Sequence, residues 1–372
     1  KDEYDAYFPH GSYSSMGSDM ADINNDGLPD LMTLDMTARD HHRYHTLGMA
    51  TNLDKYNKIL SVGLGAQFPA NTLQLNNGNG SFSDICFLSG MAFTDWSWSP
   101  LLADLDNDGW KDAWVSNGYV RDVTNDDYQR YEMSKLQQEL TAGRLTIVEW
   151  LKSIPSVKVA SFLFRNEGDL TFSDRSSQWN SGPPAFSNGS ASVDLDNDGY
   201  LDIVTNNIND VAFVLRNNGA EQVGNNFVDL RLLPVKGHTA IGAKVVLRLD
   251  DGTQQLEQVR TARGFLSSSD ATVHFGLGTS TKAEQVEITW PDGSFQVEHG
   301  LAINTKHDIK QLVNLPKAPH ASGSQSVFVD RSSTLPVELA HAENVYDDFK
   351  REPLLYHKLS QTGPAVAIGD VD

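Results

Sequence analysis

At 372 residues the chain can bury a sizeable core and hold two or more structural units. Acidic residues outnumber basic ones 49 to 29, for a formal charge of −20, and no basic stripe interrupts that excess, so a nucleic-acid backbone is excluded as a partner. No run of about 18 apolar residues exists, and no membrane-spanning segment is expected.

Lys1 opens the chain with neither an initiator Met nor a charged-then-apolar leader, as expected of an excised piece or a chain whose targeting segment has been removed. The first motif is Asp22-Ile-Asn-Asn-Asp-Gly-Leu-Pro-Asp30. It recurs as Asp104-Leu-Asp-Asn-Asp-Gly-Trp-Lys-Asp112 and again as Asp194-Leu-Asp-Asn-Asp-Gly-Tyr-Leu-Asp202. Each copy runs into a strand-like stretch (31–34, 113–116 and 203–206), so the loop joins two strands. A second pattern follows downstream: Leu73-Gln-Leu-Asn-Asn-Gly78, Leu163-Phe-Arg-Asn-Glu-Gly168 and Val214-Leu-Arg-Asn-Asn-Gly219, a strand entering an Asn/Gly turn. In the first two copies another strand ends at Phe82-Ser-Asp84 and Phe172-Ser-Asp174. Such self-similarity predicts a repeat architecture, and four antiparallel strands per unit make the blade of a β-propeller.

From the first Asp of each loop to the turn Gly the intervals are 56, 64 and 25 residues, so the first two units carry insertions of 31 and 39 residues at one equivalent connection, about 36–68 and 120–158. The first insertion places His41 and His45 four residues apart, as in a helical metal pair, although a solvated insertion is the favoured reading. The second predicts helices from capping-box patterns at Thr124 to Asp127 and Thr146 to Glu149, with Gly143 between them and Ile147, Trp150, Leu151 and Ile154 at helical apolar spacing. Equivalent points of departure put both insertions on one expected face, the candidate for partner binding. Cys86, the only cysteine, excludes an internal disulfide and a thiolate zinc site and reads as a small buried apolar residue. Trp96 and Trp98 alternate in a strand-like run and are expected to pack between units.

Beyond Gly219 the pattern changes. Residues 220–314 are strand-rich and turn-punctuated, with a hairpin predicted from Val286-Glu-Ile-Thr-Trp290 through Pro291-Asp292-Gly293 to Phe295-Gln-Val297. No Asp loop occurs there, which predicts a separate small β domain. Ser267 to Asp270 with His274 lack a nucleophile elbow, and Gly237 to Gly242 lack the Lys-Ser/Thr of a phosphate loop, so neither points to catalysis or phosphate binding. Residues 315–326 read as a linker, and 315–372 as a linker plus the start of a further repeat. The chain ends on Asp370 and Asp372, the first two ligands of a fourth Asp loop.

The loops fit calcium. This hard cation takes six to eight oxygens at about 2.3–2.6 Å, and alternate residues of a tight loop aim their oxygens at one centre. The first site would use Asp22, Asn24, Asp26, the Leu28 carbonyl and Asp30. The second would use Asp104, Asp106, Asp108, the Trp110 carbonyl and Asp112; the third, Asp194, Asp196, Asp198, the Tyr200 carbonyl and Asp202. Gly at position six permits the reversal. An EF-hand would need Glu at position 12, where Thr33, Val115 and Thr205 stand instead. Eleven Asp belong to these clusters, so part of the acidity reads as metal ligation of a structural kind.

Residues 1–219 resemble the FG-GAP/VCBS repeat family, calcium-loop propeller blades of integrin α-subunits and bacterial surface proteins. Residues 219–293 resemble the ASPIC/UnbV domain through Phe227-Val-Asp-Leu-Arg231, Ile241-Gly-Ala-Lys-Val245, Gly264-Phe-Leu-Ser-Ser268, His274-Phe-Gly-Leu-Gly278 and Ile288-Thr-Trp-Pro-Asp-Gly293. The tail, with Glu343-Asn344, Pro353-Leu-Leu355 and Gly363-Pro364, is similar to the entry into a second propeller. These resemblances imply an all-β chain of propeller-type blades with helical insertions, exported to the cell surface or beyond. They imply binding to a glycan or surface protein, in some members beside outer-membrane uptake machinery, and no reaction. A lyase-like enzyme on a propeller scaffold is the alternative; it requires paired carboxylates or a Tyr/Lys/Arg cluster outside the Asp loops.

Overall fold

The computed structural model describes residues 3–47 and 53–318, which are mostly sheet with few helices. The expected fourth loop at Asp370 and Asp372, and most of 315–372, lie outside the described residues. Three antiparallel meanders come first. The first sheet runs β1 (Ser18–Ala21), β2 (Asp30–Thr33), β3 (Thr72–Asn76) and β4 (Phe82–Asp84). The second runs β5 (Ser97–Ala103), β6 (Asp112–Asn117), β7 (Phe162–Asn166) and β8 (Phe172–Asp174). The third has three strands among the described residues: β9 (Ser187–Val193), β10 (Asp202–Asn207) and β11 (Phe213–Leu215). The first strands β1, β5 and β9 lie side by side. The described sheets do not close a ring.

The two-residue period of a strand explains why β6 is buried at every position. Leu102, Ala113, Val115 and Phe164 point from the second sheet towards Met32, Leu34 and Leu73 of the first. The alternate residues Leu101, Ala103, Trp114 and Leu163 point the other way, towards Ile203 and the half-buried Leu215 of the third. One sheet thus supplies two cores. Cys86 is fully buried in the first of them.

The insertions leave between β2 and β3 and between β6 and β7, and both are partly helical. The first carries α1 (His41–Thr46) and α2 (Leu53–Ser61). The second carries a wide helical turn at Tyr128–Glu132, then α3 (Met133–Thr141) and α4 (Ile147–Ser153). Arg43 ties them together: its Nε and Nη2 donate to Asp95 at 2.6 and 2.8 Å, and its Nη1 donates to Asp122 at 3.1 Å. The capping box at Thr146 and Glu149 forms as expected. The one expected at Thr124 does not, because Asn125 takes the capping role and accepts from the Tyr128 amide at 2.9 Å. The apolar spacing of α4 is also not a buried stripe. Ile147 and Leu151 are exposed, and Ile154, just past the helix end, is the buried member.

The longer strands from residue 226 onward form a two-sheet sandwich. One sheet orders β15 (Val273–Gly278), β12 (Asn226–Leu233) and β18 (Thr305–Lys310), with β12 and β18 parallel. The other orders β14 (Gln254–Gln258), β13 (Lys244–Leu249), β16 (Ala283–Thr289) and β17 (Phe295–Leu301). The expected hairpin is the β16–β17 pair. Val228, Leu230, Val245, Leu247, Phe275, Ile288 and Trp290 belong to its single apolar core.

A hairpin between β14 and β15 reaches out of the sandwich and lies across the first strands of all three meanders. Gly264 exchanges two backbone hydrogen bonds with Ser18, the Phe265 amide donates to Ser99 Oγ at 3.3 Å, and Ser269 Oγ accepts from the Ser192 amide at 3.3 Å. Gly264 has φ +66°, and a Cβ there would lie 2.1 Å from Ser99 Oγ, so only glycine fits. Buried charges complete the joint. Arg263 Nη2 donates to Asp19 Oδ2 at 2.6 Å and to the Leu102 carbonyl at 2.7 Å, while Lys111 Nζ lies 2.8 Å from Glu257 Oε1.

Candidate metal centres

Each Asp loop connects the first two strands of its sheet, and the same local bonds shape all three. The carboxylate at position one accepts from the amides at positions five and six: Asp22 from Asp26 and Gly27 (3.1 and 2.8 Å), Asp104 from Asp108 and Gly109 (3.1 and 2.8 Å), Asp194 from Asp198 and Gly199 (3.2 and 3.1 Å). Position five accepts from the amide at position seven, as Asp26 does from Leu28, Asp108 from Trp110 and Asp198 from Tyr200. Position nine spans two segments. Asp30 accepts from Ile23 and Asn76, Asp112 from Leu105 and Asn166, Asp202 from Leu195 and Asn217. Besides its expected place in the cage, position nine therefore pins the loop to the downstream turn.

Oxygens of Asp104, Asp106 and Asp108 lie within 4.8 Å of one another, as do those of Asp194, Asp196 and Asp202. Two acidic triads can therefore hold a metal ion. Asp22, Asn24, Asp26 and Asp30 share one loop, with Asn24 Nδ2 donating to Asp26 Oδ2 at 3.0 Å. The side chains at position seven lie against the turn glycines: Leu28 at Gly78, Trp110 at Gly168 and Tyr200 at Gly219. Every donor offered is a hard oxygen, which suits calcium and excludes a soft-ligand site.

The electrostatics point the same way. Burial pushes the carboxyls of Asp22 and Asp104 up to about 6 and those of Asp30 and Asp108 up to about 7, with neighbouring aspartates adding to the rise. Burial also holds Asp112 well above the usual range and raises Asp194 and Asp198. Asp196 moves down, because Arg216 donates to it. Burial and crowding of this kind disfavour the ionised carboxylates, and a bound cation would favour them.

Residues outside the expected ligand pattern link the loops. The Asn at position four has left-handed backbone in every copy, with φ +57° at Asn25, +56° at Asn107 and +59° at Asn197. Asn25 Nδ2 donates to the carbonyl of Gly109 in the second loop at 3.0 Å, and Asn107 Nδ2 donates to that of Gly199 in the third at 2.9 Å. In return the turn asparagine of each later unit reaches back: Asn166 to the Ile23 carbonyl at 2.8 Å and Asn217 to that of Leu105 at 2.7 Å. Position four is Asn in three copies out of three without being a ligand, a recurrence that marks the residue but not the carbonyl it meets.

His274 joins the sandwich to this chain of loops. Its Nδ1 lies 2.7 Å from Asp229 Oδ1 and its Nε2 lies 2.8 Å from Asn107 Oδ1. Both ring nitrogens are thus engaged away from Ser267 to Ser269. His41 and His45 sit four residues apart on α1 with ring centroids 4.6 Å apart, and among the described residues no third metal-ligating side chain joins them. Trp96 stacks on Tyr119 at 4.2 Å, and Trp98 packs against Phe265 of the sandwich hairpin.

Comparison with known proteins matches residues 235–315 to the family described as ASPIC and UnbV, overlapping the stretch 219–293 expected to resemble it and running past its end. Cartilage acidic protein 1 of Xenopus tropicalis is 35% identical over 114 residues, 30% of this chain and 17% of the relative. The protein of the same name from Mus musculus is 33% identical over 134 residues, 35% and 20% of the two chains. The chain thus spans about a fifth of the length of these curated relatives. A solved Agrocybe aegerita lectin, described for recognition of non-reducing terminal N-acetylglucosamine, is 15% identical. That comparison covers 78% of this chain and 67% of the lectin at a TM-score of 0.19, which carries no argument. No described helix is long and apolar enough to cross a membrane.

Proposed function

We propose that the chain belongs to a calcium-stabilised extracellular or cell-surface protein that binds or scaffolds, and that its three meanders are FG-GAP/VCBS-type propeller blades. The convergence of oxygen donors in equivalent loops carries this reading, with two triads drawn to within 4.8 Å. The Asn relay from loop to loop supports the blade assignment, because it repeats one docking geometry between successive units. Relatives named for cartilage support an extracellular setting.

In each loop the carboxylates at positions one, five and nine, the side chain at position three and the carbonyl at position seven would hold the ion. Calcium there would cross-link the strands that each loop joins, and it would activate no water. A glycan or surface protein would bind beside the two insertions, where Arg43 brings them together and Phe87, Tyr131 and Val148 are exposed. No observation favours the lyase-like alternative over this one.

The test is titration calorimetry with calcium on the whole chain, followed by a glycan array read with calcium and with chelator. Three sites filled per chain, and array binding lost with chelator, are expected. A chain that takes up no calcium at millimolar concentration would sink the reading.

A further inference from the structure

Two arginines outside the ligand pattern sit on two of the three loops. Arg165, in β7, donates through Nε to Asp106 Oδ2 at 2.8 Å and through Nη2 to Asp108 Oδ2. Arg216, just past β11, donates through Nε to Asp196 Oδ2 at 2.5 Å and through Nη2 to Asp198 Oδ2 at 3.5 Å. Each fork takes the Oδ2 atoms of positions three and five. The Oδ1 atoms of Asp108 and Asp198 face the loop, accepting from the Trp110 and Tyr200 amides at 2.9 Å each.

The equivalent residue of the first unit is Leu75, and there position three is Asn24 rather than Asp. The extra carboxylate and the guanidinium therefore occur together or not at all. The first loop has three ligand carboxylates and no arginine; the other two have four and one arginine each. Counted with these arginines, the first and third loops each carry −3, and Lys111 inside the second brings that loop to −2.

We propose that Arg165 and Arg216 are built-in counter-cations that hold the second and third loops in ligating shape whether or not an ion is present. The first loop has no such arginine, so beyond the local bonds common to all three it depends on the ion to offset its carboxylates. This inference rests on the calcium reading above. Its physical basis is that neighbouring carboxylates repel, while a planar guanidinium engages two of them in a fixed geometry. In the first loop the corresponding hold is one neutral amide, Asn24 Nδ2 on Asp26 Oδ2, which offsets no charge. Burial alone orders the loops differently. Leu195, Asp196 and Asn197 are exposed in the third loop, against Asp26 alone in the first. Burial predicts that the third loop loosens first on calcium removal. The arginine bridges predict the first.

Hydrogen exchange on the whole chain, in millimolar calcium and then in EGTA, separates the two. On chelation, exchange in 22–30 is expected to rise about tenfold more than in 194–202 or 104–112. Arg216→Met keeps the stem and removes the fork, so loop 194–202 should then loosen with the first. Asp196→Asn added to Arg216→Met rebuilds the first loop's pairing and should leave loop 194–202 ion-dependent in the same way. Protection in β9 and β10 verifies that each variant is folded, and Arg165→Met repeats the test at the second loop should Arg216→Met fail to fold. Equal loosening of the three loops in the parent chain, earlier loosening of 194–202, or indifference of that loop to Arg216→Met would overturn the proposal. Calorimetry on the parent chain distinguishes the failures: calcium uptake with equal loosening defeats this inference alone, whereas no uptake defeats the calcium reading with it.

Discussion

The three meanders and the sandwich are both antiparallel in the main, yet they are held together by different physics. The sandwich closes around one continuous apolar core in which Val228, Val245, Leu247, Phe275, Val286 and Ile288 are fully buried. The meanders divide their apolar residues between two thinner clusters on either face of the second sheet. Along their loop edge they rely on aspartates, asparagines and arginines. A hydrophobic core is indifferent to divalent cations, and a carboxylate cage is not. The meanders should therefore respond to calcium while the sandwich does not.

Chelation is the largest way to test that contrast. If millimolar calcium fills sites with a Kd near 10 μM, each contributes about 2.7 kcal/mol, or about 8 kcal/mol over three. EGTA should lower the melting midpoint by on the order of 10 °C. Six of the seven tryptophans lie in the meanders and insertions and one, Trp290, in the sandwich, so fluorescence should track mainly the meanders. Loss of exchange protection in β13 and β16 at the same chelator concentration as in β2 and β6 would break the comparison. The mirror experiment is Phe275→Ala, which should cost about 3–5 kcal/mol by opening a cavity. Calorimetric calcium affinity should stay unchanged, and a weakening of tenfold or more would show that the two regions are not separable.

The joint between them comes next. Arg263→Met leaves Asp19 with Arg260 at 3.3 Å as its remaining cationic partner. Losing the shorter contact and the Leu102 carbonyl bond should cost about 3 kcal/mol. One melting transition should become two, the upper one insensitive to calcium. A single transition, merely shifted, would mean that the apolar and hydrogen-bonded contacts of the 260–270 hairpin suffice.

The loops were legible in the sequence because oxygen donors at alternate positions, with Gly at six, leave few other readings, and the strands on either side follow from the loops. The β16–β17 hairpin was legible from its Pro-Asp-Gly turn. Harder to read was anything that depends on a neighbouring unit: Asn25 points at a carbonyl 84 residues away, and Arg165 at a carboxylate 57 residues away. The insertion helices were legible as helices, but which of their faces is covered was not. Helical spacing at Ile147 and Leu151 implies a buried face only where a neighbour covers it, and both are exposed.

The raised carboxyls give a pH signature confined to the meanders. A carboxyl whose folded value is raised to about 6 or 7 binds its proton more tightly folded than unfolded. Its protonated form therefore stabilises the fold below about pH 4, and that stabilisation is lost as pH climbs through 6 to 7. Calcium bound at these loops would select the ionised form and cancel the loss. Melting midpoints in EGTA should fall between pH 5 and 8 while those in calcium hold, so the gap widens by the equivalent of about 2 kcal/mol. A gap constant across that range would contradict the shared cause.

The relay gives the smallest effect and tests the proposed blade geometry itself. Glycine keeps the left-handed backbone of position four, so Asn→Gly removes the amide with little strain. Asn25→Gly gives up one hydrogen bond, to Gly109, and should cost about 1 kcal/mol. Asn107→Gly gives up the bond to Gly199 and leaves His274 Nε2 without its partner, so about 2 kcal/mol is expected. Asn197 has no side-chain partner among the described residues, and its glycine variant should melt within a few tenths of a kcal/mol of the parent. The ranking matters more than any one value. A cost at Asn197 equal to that at Asn25 would mean that the glycine carbonyl of another unit reaches it, continuing the docking that joins the first loop to the second and the second to the third.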